Sequence, residues 1–214
     1  MKRILVLGDS LSAGFGLKSS QAWPALVTEK LREAGLTNFE VTNASQSGGT
    51  TEGGLHRLPP HLKRNSDSRR EHKIDIFILE LGINDAFGGV SIAQIRNNLQ
   101  AIIDLVKARN PNVRIIIAGM QLPNYTADDY VFAFGQLYAD LAAKNNAALI
   151  PYFLQGVGGD PTLNQPDRIH PNAAGQKILA ENVWRVLEPI AREVAAVIPS
   201  ASEGPHSRSA GHTN

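Results

Sequence analysis

The chain has 214 residues, a formal net charge of +1 and no cysteine. This length predicts one domain whose core is large enough to fold without metal or disulfide support, and the balanced charge argues against a protein held on nucleic acid or on a membrane surface by bulk charge. The missing cysteine excludes disulfides and thiolate chemistry, and no apolar run is long enough to span a membrane.

A buried strand over residues 4–7 is the first predicted element, and it runs into Gly8, Asp9 and Ser10. A continuous aliphatic run closed by glycine is typical of a parallel strand, and the residues after it fall at the carboxyl edge of the sheet, where open α/β sheets bind ligands. We therefore interpret Ser10 as a candidate nucleophile. Taken alone, Gly-Asp-Ser is more typical of an ordinary polar turn.

The position of this strand, so close to Met1, predicts a chain without a secretory leader and hence a cytoplasmic location. The alternative is a periplasmic or secreted protein whose leader has been removed.

A helix, a strand and a short helix are predicted next. Pro24 suits the first turn of the first helix and Gly35 suits its end, while the strand over residues 39–43 leads into a polar turn that contains Gly48. Residues 63–73 then carry five cations, two anions and no apolar side chain. That composition favours a solvated surface loop over a binding patch.

The rest of the chain alternates between strands and helices. The remaining predicted elements are, in order, a strand over 74–81 that runs into Gly82-Ile83-Asn84-Asp85, a helix opened by the capping pair Ser91 and Gln94, a strand over 113–118, a helix capped by Thr126 and Asp129, a short strand over 148–151, and a last helix with Pro171 in its first position.

Five strands alternating with helices predict a three-layer α/β/α domain with a five-stranded parallel sheet. By analogy with the flavodoxin-like arrangement we expect the strand order 2-1-3-4-5, which places the ligand crevice between the first and third strands. Ser10 and Asn84 both leave the sheet there. The domain is predicted to cover residues 1–198, and the polar residues 199–214 are predicted to form a flexible tail.

A second chemical signal is Asp167 followed three residues later by His170. A serine hydroxyl needs a neighbouring base, and an acid that accepts from the other ring nitrogen orients that base. The alternative is that His170 caps a helix and Asp167 is a loop residue. Donors for an oxyanion are offered by the N–H groups of Ser10 and Gly48 and by the Asn84 amide, although glycine and asparagine are also common in turns.

These segments, in this order, resemble the four blocks of the SGNH hydrolases, also called the GDSL esterase/lipase family, over about residues 4–195. The blocks are Gly8-Asp9-Ser10-Leu11, Gly48 after Asn43-Ala44-Ser45, Gly82-Ile83-Asn84-Asp85, and Asp167 with His170-Pro171. Ser47-Gly48, Gly54-Leu55 and Leu79-Glu80-Leu81-Gly82 are similar to the bacterial acyl-CoA thioesterase I, lysophospholipase L1 and arylesterase branch.

The resemblance implies a role for each matching residue and a protein without metal or organic cofactor. Ser10 would be the nucleophile, His170 the base and Asp167 the acid that orients it, with Ser10, Gly48 and Asn84 forming the oxyanion hole. The sequence departs from the branch in its longer basic loop, in the absence of a leader, and in Gly49, which stands where the branch often has aspartate. We expect Gly49 to loosen the oxyanion turn.

An acyl groove is expected near the strand exits. The substrate-binding candidates are Leu11, Phe87, Leu122 and Pro123, and further apolar candidates are Phe15, Tyr125 and Phe153. Core packing is the more common fate of such side chains. The loop over residues 86–90 contains two glycines and is a candidate lid.

The leading hypothesis is a serine esterase that hydrolyses short- to medium-chain acyl esters (aryl esters, thioesters or lysophospholipids) through an acyl-enzyme. It would bind a small-molecule ester, no nucleic acid and no membrane interior, as a monomer or homodimer. The alternatives are a carbohydrate acetyl esterase of the same family, a catalytically silent binding domain, and a metallophosphoesterase. The ligands for the last would be Asp9, Asn84, Asp85, Asp167 and His170, a poor set because it contains one imidazole.

Overall fold

The sheet is built from the apolar runs that the sequence predicts. The structure, a computed structural model, describes residues 1–62, 73–123 and 129–197. Within these ranges the strands are β1 (Lys2–Gly8), β2 (Phe39–Asn43), β3 (Ile76–Glu80), β4 (Arg114–Ala118) and β5 (Ala148–Ile150). They form one parallel sheet in the order β2-β1-β3-β4-β5, so the predicted α/β class and strand order are confirmed.

Helices cover both faces of this sheet. They are α1 (Ser10–Ala13), α2 (Trp23–Glu33), α3 (Thr51–Arg57), α4 (Pro59–Leu62), α5 (Ile83–Phe87), α6 (Ile92–Arg109), α7 (Asp129–Asn145) and α8 (Ala173–Ala196), with a 3₁₀ turn at Ser19–Gln21. Helix α2 packs on α8, and α6 packs on both α3 and α7. Parallel crossovers are right-handed, and the chain moves across the sheet in one direction from β1 to β2 and in the other direction after β2. The pair α2 and α8 therefore lies on one face of the sheet, and α3, α6 and α7 lie on the other.

The core is continuous through the two central strands. Residues 4–7 of β1 and 76–79 of β3 are buried, as are the inward faces of α2, α6 and α8. In the register of the central pair, Gly8 lies opposite Glu80 at the carboxyl end. The turns that follow these two strands, which contain Ser10 and Asn84, therefore leave the sheet side by side.

Several predicted helix boundaries are wrong. Helices α1 and α5 lie where turns and a loop were expected, and the predicted short helix is followed by a second one, α4, which begins with two prolines at 59 and 60. Asn172 is the N-cap of α8 because its side chain accepts from the N–H groups of Ala174 and Gly175. Pro171 is therefore not the first residue of that helix, and His170 does not cap it.

Other boundaries are confirmed or lie outside the described ranges. Ser91 caps α6 by accepting a hydrogen bond from the Gln94 N–H at 3.2 Å. Thr126, Tyr125, most of the basic loop and the tail from 198 onward are outside the described residues, so the predicted domain limits stay predictions. No helix in the described part is both long and apolar enough to cross a membrane.

Candidate active site

The turn after β1 presents Ser10 at the start of a short helix. Asp9 is the N-cap of α1, and its Oδ1 accepts a hydrogen bond from the Leu11 N–H at 2.9 Å. Ser10 is thus the first helical residue, where its own N–H has no partner within the helix. Ser10 is 8% exposed, so little of the residue is accessible to solvent.

Three side chains meet in a hydrogen-bonded row across the carboxyl edge of the sheet. His170 Nε2 lies 2.9 Å from Ser10 Oγ, and His170 Nδ1 lies 2.7 Å from Asp167 Oδ2. The row brings together the three residues predicted as nucleophile, base and acid, although Ser10 and His170 are 160 positions apart. The arrangement suits proton transfer from the hydroxyl to the imidazole.

The carboxylate of Asp167 is stabilised by donors from its own loop. Its Oδ1 accepts from the N–H groups of Ile169 (2.9 Å) and His170 (3.0 Å). The hydrogen bond from the His170 N–H, followed by those from the His170 ring and the Ile169 N–H, lowers the pKa of Asp167 to about 2. Asp167 is therefore ionised at neutral pH, as an acid that orients an imidazole must be.

Two glutamines fix the loops around this row, and the sequence analysis missed both. The Gln165 side chain donates to the Phe15 carbonyl at 2.7 Å, while its own N–H donates to the His170 carbonyl at 2.7 Å. The buried Gln176 of α8 donates to the Leu11 carbonyl at 3.1 Å and accepts from the Trp23 N–H at 2.8 Å. Neither glutamine belongs to a local pattern, so only the tertiary structure reveals these ties.

The candidate oxyanion donors Gly48 and Asn84 lie in the turns that follow β2 and β3. Gly48 has φ +73°, a left-handed conformation that favours glycine, and its exposed N–H has no acceptor in the described residues. The Asn84 side chain donates to Asp9 Oδ2 at 3.2 Å and to the Gly49 carbonyl at 3.0 Å. The amide is therefore held between the first and second motif blocks.

The backbone of Gly49 makes two hydrogen bonds within the turn that contains the candidate donor Gly48. Its N–H donates to the Gln46 carbonyl at 2.9 Å, and its carbonyl accepts from Asn84. Gln46 in turn donates through its N–H to the Gly8 carbonyl at 3.1 Å. These bonds hold the backbone of the turn without a side chain at position 49, and a looser turn stays a prediction.

A buried carboxylate links the two loops that carry these donors. Asp85 accepts from the Thr51 hydroxyl at 2.5 Å and from the Thr51 N–H at 2.8 Å. Asn98 of α6 donates to the same hydroxyl at 3.0 Å. These bonds fix the start of α3, three residues after Gly48, against the helical turn that contains Asn84.

The candidate substrate-binding residues differ in exposure. Leu11 is 4% exposed and belongs to the core, which leaves a substrate little of its surface, whereas Phe87 is 65% exposed. Leu122 is half-buried against the core and Pro123 is exposed. Their roles in binding stay predictions.

The further apolar candidates Phe15 and Phe153 differ in their surroundings, and the candidate lid over residues 86–90 is held by hydrogen bonds. The Phe15 ring lies against the His170 imidazole with centroids 4.4 Å apart, whereas Phe153 is buried in the core. Residues 86–90 are tied by the Val90 N–H to the Asp85 carbonyl and by the Tyr130 hydroxyl, which donates to the Val90 carbonyl at 2.6 Å.

In the described part of the chain, no three His, Cys, Asp or Glu side chains cluster in a way that could hold a metal ion. Asp85 is engaged with Thr51, and Asp167 with its own loop. These contacts fit orienting roles better than metal ligation.

Comparisons with known proteins agree with one another. A model of the GDSL-like lipase/acylhydrolase family matches residues 6–178. The chain is 42% identical to the esterase TesA of Pseudomonas aeruginosa over 87% of its own length and 88% of that protein. It is 36% identical to the thioesterase 1/protease 1/lysophospholipase L1 of Escherichia coli K12, over 87% and 84% of the two chains. The crystal structure of TesA superposes with a TM-score of 0.79 at 40% identity, covering 88% of this chain and 99% of that one.

Proposed function

Because this chain belongs to the GDSL-like lipase/acylhydrolase family and is a carboxylic-ester hydrolase with an α/β fold, we propose that it cleaves acyl esters through a covalent intermediate on Ser10. The observation that carries the proposal is the row of contacts from Ser10 Oγ to His170 and from His170 to Asp167, at 2.9 and 2.7 Å. A serine hydroxyl is a weak nucleophile without such a base.

The proposed reaction has two halves. His170 Nε2 takes the proton as Ser10 Oγ bonds to the acyl carbon, and Asp167 stabilises the imidazolium that forms. The bond from the acyl carbon to the leaving group then breaks, and His170 returns the proton to the departing oxygen or sulfur. Water deprotonated by His170 attacks the acyl-enzyme in the second half, which releases the acid and restores the Ser10 hydroxyl.

The oxyanion of both tetrahedral intermediates would accept from the N–H groups of Ser10 and Gly48 and from the Asn84 side chain. The first two N–H groups have no partner in the described residues, which supports their availability. Asn84 already makes two bonds, so it would exchange the one to the Gly49 carbonyl for the oxyanion. Each such donor contributes about 3–4 kcal/mol to stabilising the transition state.

We infer short- to medium-chain acyl esters and thioesters as the substrate class. The names of the two relatives, esterase and thioesterase 1/protease 1/lysophospholipase L1, support esters and thioesters as the bond types, and the chain length is our own proposal. We also propose that the protein binds no nucleic acid and acts as a monomer or homodimer. The cytoplasmic location, or a periplasmic or secreted one after loss of a leader, stays a prediction.

The test is hydrolysis of p-nitrophenyl esters from acetate to palmitate by the wild type and the Ser10→Ala variant. We expect chelator-resistant turnover in the wild type and a loss of nearly all turnover in Ser10→Ala, with Ser19→Ala, an exposed serine of the 3₁₀ turn, as the unchanged control. Equal rates in Ser10→Ala and the wild type would overturn the proposal.

A further inference from the structure

A buried carboxyl group that this mechanism does not use lies directly behind the nucleophile. Glu80 is the last residue of β3, pairs in register with Gly8, and is fully buried. Its Oε2 accepts from the Asp9 N–H at 3.2 Å and from the Ser12 hydroxyl at 2.7 Å. These two partners stand on either side of Ser10, so one carboxyl group holds both ends of the turn that carries the nucleophile.

The contacts around this carboxyl group leave the turn little freedom. The Trp23 indole N–H donates to Ser12 Oγ at 3.1 Å, which commits the proton of that hydroxyl to Glu80. A Cβ atom on Gly8 would lie 2.6 Å from Glu80 Oε2, so only glycine lets the end of β1 approach the Glu80 carboxyl group this closely. The turn is thus anchored through Glu80 to β3 and through Ser12 to α2.

The same network reaches the oxyanion donors through Asp9. Asp9 is fully buried, and its two carboxyl oxygens accept from the Leu11 N–H at 2.9 Å and from the Asn84 amide at 3.2 Å. These two N–H donors favour the ionised form of Asp9. A neighbouring group that displaces Asp9 would therefore disturb the nucleophile and the oxyanion amide together.

Two carboxyl groups buried side by side cannot both carry a charge at low cost. Arg57 of α3 is the cation that faces both acids, and its Nη2 donates to the Gly8 carbonyl at 2.6 Å. His170 faces Asp9, and Tyr138 of α7 faces both acids. Glu80 Oε1 has no hydrogen-bond partner in the described structure. A buried oxygen without a donor is far less costly in a neutral carboxyl group than in a carboxylate.

The direction of the pKa shifts agrees with this geometry. Burial raises the pKa of Glu80 well above its usual value, and the charge of Asp9 raises it further. Burial also raises the pKa of Asp9, to about 6, against the opposing effect of the Leu11 N–H. The hydrogen bonds that Glu80 accepts from the Ser12 hydroxyl and the Asp9 N–H lower its pKa, but they do not cancel the raising effect of burial.

We propose that Glu80 is a positioning residue that acts in its neutral form, anchoring residues 9 and 12 on either side of Ser10. Ionisation of Glu80 places a second buried charge beside Asp9. The repulsion between the two carboxylates displaces Asp9 from its position beside Ser10, although the ionised Oε2 still accepts the hydrogen bonds from the Asp9 N–H and the Ser12 hydroxyl. The enzyme therefore loses kcat at alkaline pH through a group that never touches the substrate. The inference rests on the proposed role of Ser10 and adds a further residue to that site.

The test compares Glu80→Gln, which keeps the shape and the hydrogen bonds without a titratable proton, with Glu80→Ala, which removes both anchors. With p-nitrophenyl butyrate at pH 7 we expect Glu80→Gln to keep kcat within about threefold of the wild type, and Glu80→Ala to lose about 30-fold or more with KM nearly unchanged, because a slight misplacement of a reacting group has such effects. The alkaline fall of kcat should move upward or vanish in Glu80→Gln.

Glu40→Gln, on the exposed face of the edge strand β2, is the matched control and should leave kcat and its pH profile unchanged. Should Glu80→Ala fail to fold, Ser12→Ala replaces it, since it removes one of the two anchors and should lower kcat with KM unchanged. A Glu80→Gln variant that loses as much kcat as Glu80→Ala, or that keeps the wild-type alkaline fall, overturns the inference. Wild-type rates in Ser10→Ala would instead overturn the proposed function.

Discussion

At the scale of single residues, Arg168 stands out because its backbone is in a conformation that favours glycine. It has φ +59° and lies between Asp167 and His170. The left-handed conformation is unfavourable by about 1–2 kcal/mol for a residue with a Cβ atom. Glycine would relieve this strain at the expense of about 0.5–1 kcal/mol of chain entropy.

We therefore expect Arg168→Gly to raise the free energy of unfolding by about 0.5–1 kcal/mol, measured by urea denaturation. Arg32→Gly is the control, because Arg32 is an exposed arginine within α2, and there glycine should destabilise the protein by about 1 kcal/mol. Destabilisation by both substitutions would show that the conformation at position 168 carries no strain.

Asn84 provides a second prediction at this scale. Asn84→Ala removes one proposed oxyanion donor and leaves the Ser10–His170 contact in place, so kcat should fall about 10²–10³-fold while KM changes little. Steady-state kinetics on p-nitrophenyl butyrate measure this effect. A fall in kcat of less than threefold would remove Asn84 from the oxyanion hole.

At the scale of elements, the bond between Thr51 and Asp85 couples α3 to α5. Thr51→Val keeps the volume of the side chain but leaves Asp85 and Asn98 without the hydroxyl that joins them. We expect a loss of about 1–3 kcal/mol in unfolding free energy, since these polar groups are buried. We also expect a lower kcat, since the Gly48 turn precedes α3.

The exposed Thr37→Val variant is the control for both measurements. If Thr51→Val loses stability but keeps its kcat, the Thr51–Asp85 bond contributes to folding and does not position Gly48.

The elements also show how far sequence reasoning reaches. The strands were predictable because buried parallel strands are aliphatic runs closed by polar turns, as in residues 4–7, whereas their order was expected by analogy with the flavodoxin-like arrangement. Helices α1 and α5 were missed because four or five residues show no periodicity. The start of α8 was misplaced because Pro171 suits a first helical position, whereas the side chain of Asn172 supplies the cap.

The candidate site also contains residues that a local motif reveals and residues whose role depends on tertiary contacts. Ser10, Gly48, Asn84, Asp167 and His170 each carry a local motif, and the structure brings them to one edge of the sheet. Glu80 carries a weaker signal, a single acid at the end of an apolar strand. Its role depends on the pairing of β3 with β1 and on the closeness of Ser12. Sequence spacing does not encode such contacts.

At the scale of the whole molecule, the buried acids make stability depend on pH. A carboxyl group whose pKa is raised in the folded state binds its proton more tightly when folded. Its contribution to stability is therefore greatest at low pH and is lost as the pH rises through the folded pKa. For Asp9 that loss runs from about pH 4 to about pH 6, and for Glu80 it continues above the usual carboxyl range. Asp167 acts in the opposite direction, because its stabilising effect is lost only as the pH falls toward about 2.

Glu80→Gln should therefore gain stability relative to the wild type as the pH rises above about 4.5, because glutamine does not ionise. Urea denaturation of both proteins at intervals from pH 4 to pH 9 measures the difference in unfolding free energy. A difference that stays constant over this range would show that Glu80 titrates alike in the folded and unfolded chains.

The central claim, that Ser10 is the nucleophile activated by His170, is tested most directly by covalent labelling with a p-nitrophenyl alkylphosphonate. Stoichiometry is read from p-nitrophenol release, and the labelled residue from peptide mass spectrometry. We predict one equivalent of label on Ser10 and a labelling rate at least about 10³-fold lower in His170→Ala. Label on another residue, or hydrolytically active protein that takes up no label, would contradict the account.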